Sequence, residues 1–349
     1  MPDVASPRAV QWEELADRVL DGVAPTRDDA LAILRSDDGE LLAILHAAFR
    51  VRYEHFGLKV KLNMIVNAKS GICPEDCGYC SQSIVSTAPV PKYSMLDRTT
   101  LIAGGHEAWA RKAGTYCIVA SGRGPSAREL REVTAAVRQI KRELPMKVCA
   151  CLGLLSDEQA ILLKEAGVDR YNHNLNTSVS NHGRITSTHT YEDRLRTLEA
   201  VKRAGISPCA GFIAGMHETD EQLIDVAFAL REVDADSIPV NFLNAIPGTP
   251  LEGVHELNPR RCLKILALMR FVCPTKEVRV AGGREVNLRS LQPLALYPAN
   301  AIFVGDYLTT EGQAAEEDWE MVEDLGFEIE RCALDATASR EGSLNGNPR

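Results

Sequence analysis

From Gly57 onward one pattern governs the chain: a short apolar run, then a longer amphipathic stretch, repeated towards the C-terminal region. Short apolar runs suit strands buried on both faces, and the 3.6-residue periodicity between them suits helices. The expected strands are VKLNMIV (60–66), TYCIVA (115–120), KVCACL (147–152), DRYNHN (169–174), ISPCAGFI (206–213), DSIPVNF (236–242), EVRVAG (277–282) and AIFVG (301–305). Helices are expected at about 97–113, 126–143, 156–166, 191–204, 219–232, 258–272, 286–296 and 316–325. Gly114, Gly167 and Gly205 stand where helices turn back into strands. Eight such units predict an α/β fold, a TIM-type (β/α)8 barrel. A doubly wound open sheet would carry the same pattern, because strand number alone does not establish closure.

Residues 1–56 read differently. QWEELADRVLDGV, TRDDALAILR and GELLAILHAAFRVRYEHF predict a helical extension, with Thr26 as an N-cap. The barrel is expected over 57–330, and the polar ATASREGSLNGNPR marks 331–349 as a C-terminal tail. At 349 residues with 45% hydrophobic composition, the chain buries a core without disulfide staples. A net charge of -9 argues against nucleic acid or an anionic membrane as a main partner. The longest apolar run, LLAILHAAF, falls well short of the ~20 residues of a membrane span, and the start has no basic region leading into an apolar one. Ten cysteines are too few for a disulfide scaffold. They suit a cytoplasmic setting, where clustered thiols bind metal or do chemistry.

Three of them crowd into GICPEDCGYC, at Cys73, Cys77 and Cys80. The spacing i, i+4, i+7 is that of a helix's buried stripe. Gly71, Pro74 and Gly78 argue against a helix there, and the run directly follows the first strand, on the catalytic face of a barrel. Structural zinc would want a fourth Cys or His nearby, and none falls in the loop. An iron–sulfur cluster suits soft thiolates better, and three ligands leave one metal position open.

C-x3-C-x2-C after a first barrel strand resembles the radical S-adenosylmethionine superfamily. The resemblance implies that the three thiolates hold a 4Fe-4S cluster and that S-adenosylmethionine chelates its open iron. Reductive cleavage of that cofactor would yield methionine and a 5′-deoxyadenosyl radical that abstracts hydrogen. Tyr79 matches the superfamily position against the adenine, and GFIAGMHE, with Gly211, Ile213, Gly215 and Glu218, resembles its cofactor-binding G-x-I-x-G-x-x-E segment beside the adenine, where small residues allow close backbone approach. SGRG at 121–124 falls where the superfamily contacts the methionine end of the cofactor; glycine is also an ordinary turn former.

Cys117, Cys149 and Cys209 fall on the second, third and fifth strands, and Arg279 on the seventh. A single strand cysteine is usually apolar filler. Three with an arginine, each able to face the lumen, suggest more, since a buried guanidinium needs an anionic or acceptor partner. Cys151 shares the strand face of Cys149, and on spacing either could act. NAKSGICPEDCGYCSQS, YNHNLNTS, CAGFIAGMHET, IPGTPL and VRVAGGREVN together resemble the biotin synthase family through about residues 45–330. That resemblance implies a second, 2Fe-2S cluster on Cys117, Cys149, Cys209 and Arg279, deep in the barrel and serving as sulfur source. It favours Cys149 over Cys151; Cys262, Cys273 and Cys332 read as structural.

Asn172, Asn174 and Asn176 share one alternating strand face, and amides pair donor with acceptor, which suits a ureido ring or a ribose. The resemblance places Asn172, Asn174 and Asn241 against substrate, and Asn174 and Asn176 against cofactor. Many relatives carry Asp at the position of Asn176, which is also a good turn residue. His173 points to the opposite face and reads as a core histidine. The function implied is radical insertion of sulfur between C6 and C9 of dethiobiotin to form biotin. It further implies an electron-donor protein such as flavodoxin or ferredoxin, and a homodimer. Two other readings compete: a different radical reaction with the strand cysteines as filler, and an iron or redox sensor, for which the chain lacks a nucleic-acid motif or basic face.

Overall fold

The computed structural model describes residues 7–330, so the expected tail at 331–349, with Cys332, lies outside the described residues. Three helices come first: α1 Pro7–Leu20, α2 Arg27–Arg35 and α3 Leu41–Phe56. Thr26 caps α2 as expected, accepting from the Asp29 N–H while Asp29 reaches back to the Thr26 N–H.

The strands are β1 Lys59–Lys69, β2 Thr115–Ala120, β3 Lys147–Cys151, β4 Arg170–Asn172, β5 Ser207–Cys209, β6 Phe212–Ala214, β7 Ser237–Phe242, β8 Glu277–Val280, β9 Ala301–Phe303 and β10 Glu328–Ile329. All pair in parallel. β1 bonds both β2 and β9, and this closes the ring that the sequence left open. β5 and β6 are two segments of one stave: β5 bridges β4 and β7, and β6 continues along β7. The barrel therefore has eight staves, and β10 only flanks the start of β1.

The coat consists of α4 Arg98–Ala110, α5 Ala127–Glu143, α6 Asp157–Ala166, α7 Val179–Ile185, α8 Tyr191–Arg203, α9 Asp220–Glu232, α10 Pro259–Val272, α11 Arg284–Leu288 and α12 Ala315–Asp324. Ser126, Ser156, Thr190 and Thr219 each close a capping box on the helix that follows. Some details depart from expectation. The helix expected at 286–296 is α11 followed by a 3-10 segment, Arg289–Leu296, because Pro293 lacks the N–H an α-helix would use. Short α7 was not foreseen. Gly167 and Gly205 do adopt left-handed backbone, whereas before β2 that conformation falls on Lys112 rather than Gly114.

The N-terminal helices pack on the coat through buried Trp12, Leu15, Ile33, Ile44 and Val51. Each such side chain contributes roughly 1.5–3 kcal/mol. Arg52 is buried, donates to the carbonyls of Ala299, Lys59 and Gly57, and lies over the Phe327 ring. On the rim, Arg35 pairs with Asp220 at 2.8 Å and Glu221 at 2.6 Å, and Lys264 pairs with Asp38 at 3.1 Å. Among the described residues no helix is long and apolar enough to cross a membrane.

Candidate functional site

At the C-terminal ends of the strands a cavity of about 410 Å³ opens into the barrel. Cys73, Cys77, Tyr79 and Cys80 border it from the loop after β1, and Cys117, Cys149, Cys151 and Arg279 border it from the strands below. Asn172, Asn174, Asn176, Ile213 and Asn241, also expected, line its wall. Cys209 lies just behind, fully buried.

The loop after β1 is not helical, so the buried-stripe reading of its cysteines falls. Its shape comes from the residues between the thiols. Asp76 accepts from the Thr186 hydroxyl at 2.7 Å and the Ser187 N–H at 2.9 Å. Glu75 accepts from Thr188 at 2.6 Å and Arg123 at 3.2 Å, and bonds His189 at 2.5 Å. The Gly78 N–H donates to the Ile185 carbonyl at 2.9 Å, so unforeseen α7 and its exit hold the cysteine loop. Burial pushes the Cys73 and Cys77 thiols up and the Cys80 thiol up to about 12. Such thiols ionise when a metal replaces the proton. Among the described residues no three His, Cys, Asp or Glu side chains close on one point as single-ion ligands do. The three thiols instead border a wide cavity, which suits a cubane that takes one thiolate per iron.

The second group is tighter. Cys117 and Cys149 are register partners across β2 and β3, the Cys149 thiol donates to the Ala150 carbonyl at 3.8 Å, and Cys117 and Cys209 are its electrostatic neighbours. Cys151 borders the same cavity and lies within electrostatic reach of Cys117 and Cys209 as well. Cys149 beside it, with Arg279, Asn172 and Arg170, draws the Cys209 thiol down against the opposing effect of burial, while the Cys149 thiol is pushed up. Asn172 donates to Cys209 Sγ at 3.3 Å. Arg279 Nη2 donates to Glu277 at 2.6 Å and Ser237 at 2.9 Å, its guanidinium lies over Phe303, and its buried Nε has no partner. Neighbouring thiols on β2, β3 and β5, beside an unspent donor and a cationic wall, fit an anionic sulfide cluster.

The amides are built into the strand ends. Asn174 accepts from the Gly211 N–H at 3.0 Å and from Asn172 at 3.0 Å. Asn241 donates to the Phe212 carbonyl and accepts from the Gly282 N–H, both at 3.0 Å. Asn176 donates to the Tyr79 hydroxyl at 2.7 Å and sits in left-handed backbone at φ 69°, a conformation asparagine tolerates. Gly211 and Gly215 do not border the cavity. A Cβ on Gly211 would lie 1.9 Å from the Pro239 carbonyl oxygen, and Gly215 has φ +93°. Glu218 closes that turn by accepting the Gly215 and Met216 N–H groups, each at 2.6 Å. His173 is buried, its pKa is pushed down by burial, and its Nε2 is unpaired. Cys262 and Cys273 are buried along α10 and its end, as expected of structural residues.

Sequence reasoning missed several wall residues. Arg194 on α8 turns inward, donating to the Asn174 carbonyl at 2.8 Å and bonding His189 at 2.6 Å. Tyr307, Leu308, Thr309 and Thr310, from the loop after β9, form the opposite rim. Tyr307 bonds Glu285 at 3.1 Å, Asn67 donates to the Leu308 carbonyl at 2.8 Å, and Thr309 bonds Ser81 at 2.7 Å. The polar cluster YLTT was the only signal for that rim.

Residues 68–230 match the Radical SAM superfamily, and residues 239–328 match the Biotin and Thiamin Synthesis associated domain. A biotin synthase of Bacillus pumilus (strain SAFR-032) is 62% identical over 95% of this chain and 100% of its own. One from Geobacillus thermodenitrificans (strain NG80-2) is 64% identical over 91% and 96%. The chain belongs to the biotin synthase family. Membership brings a radical S-adenosylmethionine enzyme with a 4Fe-4S cluster. In fold alone, a methylornithine synthase crystal structure aligns with TM-score 0.81 at 19% identity, over 93% of this chain and 99% of that one. A FeFe-hydrogenase maturase from Carboxydothermus hydrogenoformans aligns with TM-score 0.78 at 16% identity, over 94% and 81%.

Proposed function

We propose that this chain inserts sulfur between C6 and C9 of dethiobiotin, closing the thiophane ring of biotin. The observation that carries the reading is two separate thiol groups at one cavity: Cys73, Cys77 and Cys80 at its mouth, and Cys117, Cys149 and Arg279 at its depth, with buried Cys209 just behind. When bound, a 4Fe-4S cluster on the first group supplies the electron that cleaves S-adenosylmethionine to a hydrogen-abstracting radical, and a 2Fe-2S cluster on the second supplies sulfur.

The chain's own residues bind, orient and exclude water. Tyr79, Asn176 and Ile213 form the cofactor side, with Asn174 between cofactor and substrate. Asn172 and Asn241 offer amide donors and acceptors to the ureido ring. Gly211 and Gly215 act through the strand and turn they permit. Apolar Ile65, Val119 and Phe303 on the wall favour the hydrocarbon part of the substrate over water. The reading brings in an external electron donor such as flavodoxin or ferredoxin and a homodimer. It also sets the barrel at 57–330 apart from a helical extension at 1–56. A reducing cytoplasm suits the nine described cysteines, all of them free.

Anaerobic turnover of the reconstituted, reduced protein with dethiobiotin and S-adenosylmethionine tests it. Biotin, detected by mass, is the expected product. Formation of 5′-deoxyadenosine without biotin would refute the sulfur-insertion reading while leaving the radical chemistry.

A further inference from the structure

Below the second thiol group Arg279 enters a buried ionic network whose other members, Glu277, Arg170, Ser237 and Lys61, have been given no part in cluster ligation or substrate binding. Glu277, at the start of β8, is 3% exposed. Its two carboxylate oxygens accept from Arg170 Nη1 on β4 at 2.9 and 2.8 Å, across the barrel lumen. Glu277 Oε1 also accepts from Arg279 Nη2 at 2.6 Å and from the Ser237 hydroxyl at 2.9 Å. Ser237 in turn accepts from Arg279 Nη2 at 2.9 Å, which closes a three-membered ring around that nitrogen. Lys61 of β1 approaches the other carboxylate oxygen at 3.4 Å. One carboxylate thus stands among three cations. An acid placed only to neutralise Arg279 would not need Arg170 and Lys61 as well.

The register explains why this network meets the thiols. Ser237 is the neighbour of both Cys209 and Glu277, and Arg170 is the neighbour of Cys149. The same rungs that carry the cysteines carry the carboxylate and its partners. Arg279 is fixed at one end by Glu277 and Ser237, and along its face by Phe303 at 4.9 Å. Its buried Nε remains without a partner. A flexible arginine side chain held at that many points loses little further freedom when Nε takes up a ligand.

We propose that Glu277, itself clamped by Arg170, is the positioning residue that fixes the Arg279 guanidinium with Nε free to face the Cys117, Cys149 and Cys209 group. Glu277 touches neither substrate nor cluster and acts through Arg279. The part of this inference that concerns a cluster rests on the function proposed above; the part that concerns Arg279 does not.

The test uses the full chain in two states. In the metal-free protein, nitrogen-15 NMR follows the Arg279 Nε–H, assigned by its loss in R279K. The signal is expected to be slowly exchanging in the parent protein. In E277Q it is expected to exchange on the order of tenfold faster or broaden away, with partial rescue in E277D. Because E277Q leaves two guanidinium groups without their acid, the R170M/E277Q double variant is measured alongside it, with folding checked by circular dichroism. An unchanged Arg279 signal in a folded E277Q or R170M/E277Q overturns the proposal. In the reconstituted protein, E277Q is expected to fall from about six irons per chain to about four, keeping the first cluster and losing the 2Fe-2S absorption. Full retention of that absorption by folded E277Q also overturns the proposal. A parent protein with about four irons, together with a lost Nε–H signal in E277Q, would sink the sulfur-insertion reading and leave the positioning role standing.

Discussion

Replacing Gly211 by alanine separates two explanations of the GFIAGMHE segment. The new Cβ would lie 1.9 Å from the Pro239 carbonyl oxygen and 2.8 Å from its carbon, roughly 1 Å inside the closest approach such atoms make. The obstacle is backbone of β7, which cannot rotate aside. β6 and β7 must separate, weakening the bond from the Gly211 N–H to Asn174 as well. Overpacking of this kind costs ~3 kcal/mol. An unfolding entropy of about 2.1 cal/mol/K per residue over roughly 320 residues gives about 0.7 kcal/mol/K, so Tm should fall by about 4 °C. The assay is thermal and urea unfolding of the metal-free protein under anaerobic conditions. Because no cofactor is present, the loss must appear there. A G211A protein that unfolds like the parent, and is deficient only in binding S-adenosylmethionine, would refute the strand-packing account.

Cys77→Ser should leave the reconstituted protein with about two irons per chain in place of about six, with no 5′-deoxyadenosine formed; iron and sulfide analysis checks it. Asn176→Ala removes the bond to Tyr79 and sets an alanine at φ 69°, so the metal-free protein should lose ~2 kcal/mol in urea unfolding and the KM for S-adenosylmethionine should rise. Acid should loosen the N-terminal helices. Lys264 and Arg260 hold the Asp38 carboxyl below its ordinary value; at Asp220 burial pulls the other way, but the bonds from Arg35 and Arg261 outweigh it and hold that carboxyl low too. Groups depressed on folding contribute stability that is complete above the unfolded pKa, near 3.8, and is lost as pH falls below it. Hydrogen exchange in α1 to α3 should therefore rise below about pH 4, and R35Q should remove part of that pH dependence.

Local chemistry made much of this molecule readable. Each of the eight staves overlaps a segment read as a strand, and most of these are apolar runs because parallel strands buried on both faces favour apolar residues; β4, Arg170–Asn172, is the polar exception. GICPEDCGYC was legible as a ligand loop because Gly71, Pro74 and Gly78 forbid the helix its spacing would suit. What escaped depends on partners far along the chain. Glu75 and Asp76 look like ordinary loop acids until residues 186–189 arrive to receive them. Arg194 sits in a helix rich in charge, where an inward arginine has no local signature. Nothing local to KVCACL distinguishes Cys149 from Cys151. Gly211 was read as making room for a cofactor, whereas the nearest neighbour it spares is the protein's own β7.

The bond between Ser81 and Thr309 joins the segment just past Cys80 to the far rim across 228 positions of chain, and that rim is braced again at Asn67 and Glu285. A fragment ending before β9 would hold all three loop cysteines and their supports at residues 185–189, but would lack the opposite rim that Ser81 leans on. The mouth of the cavity is therefore among the last parts of the molecule to take shape during synthesis. A half-made chain offers no finished seat for a reactive cofactor, and the radical chemistry waits for the barrel to close.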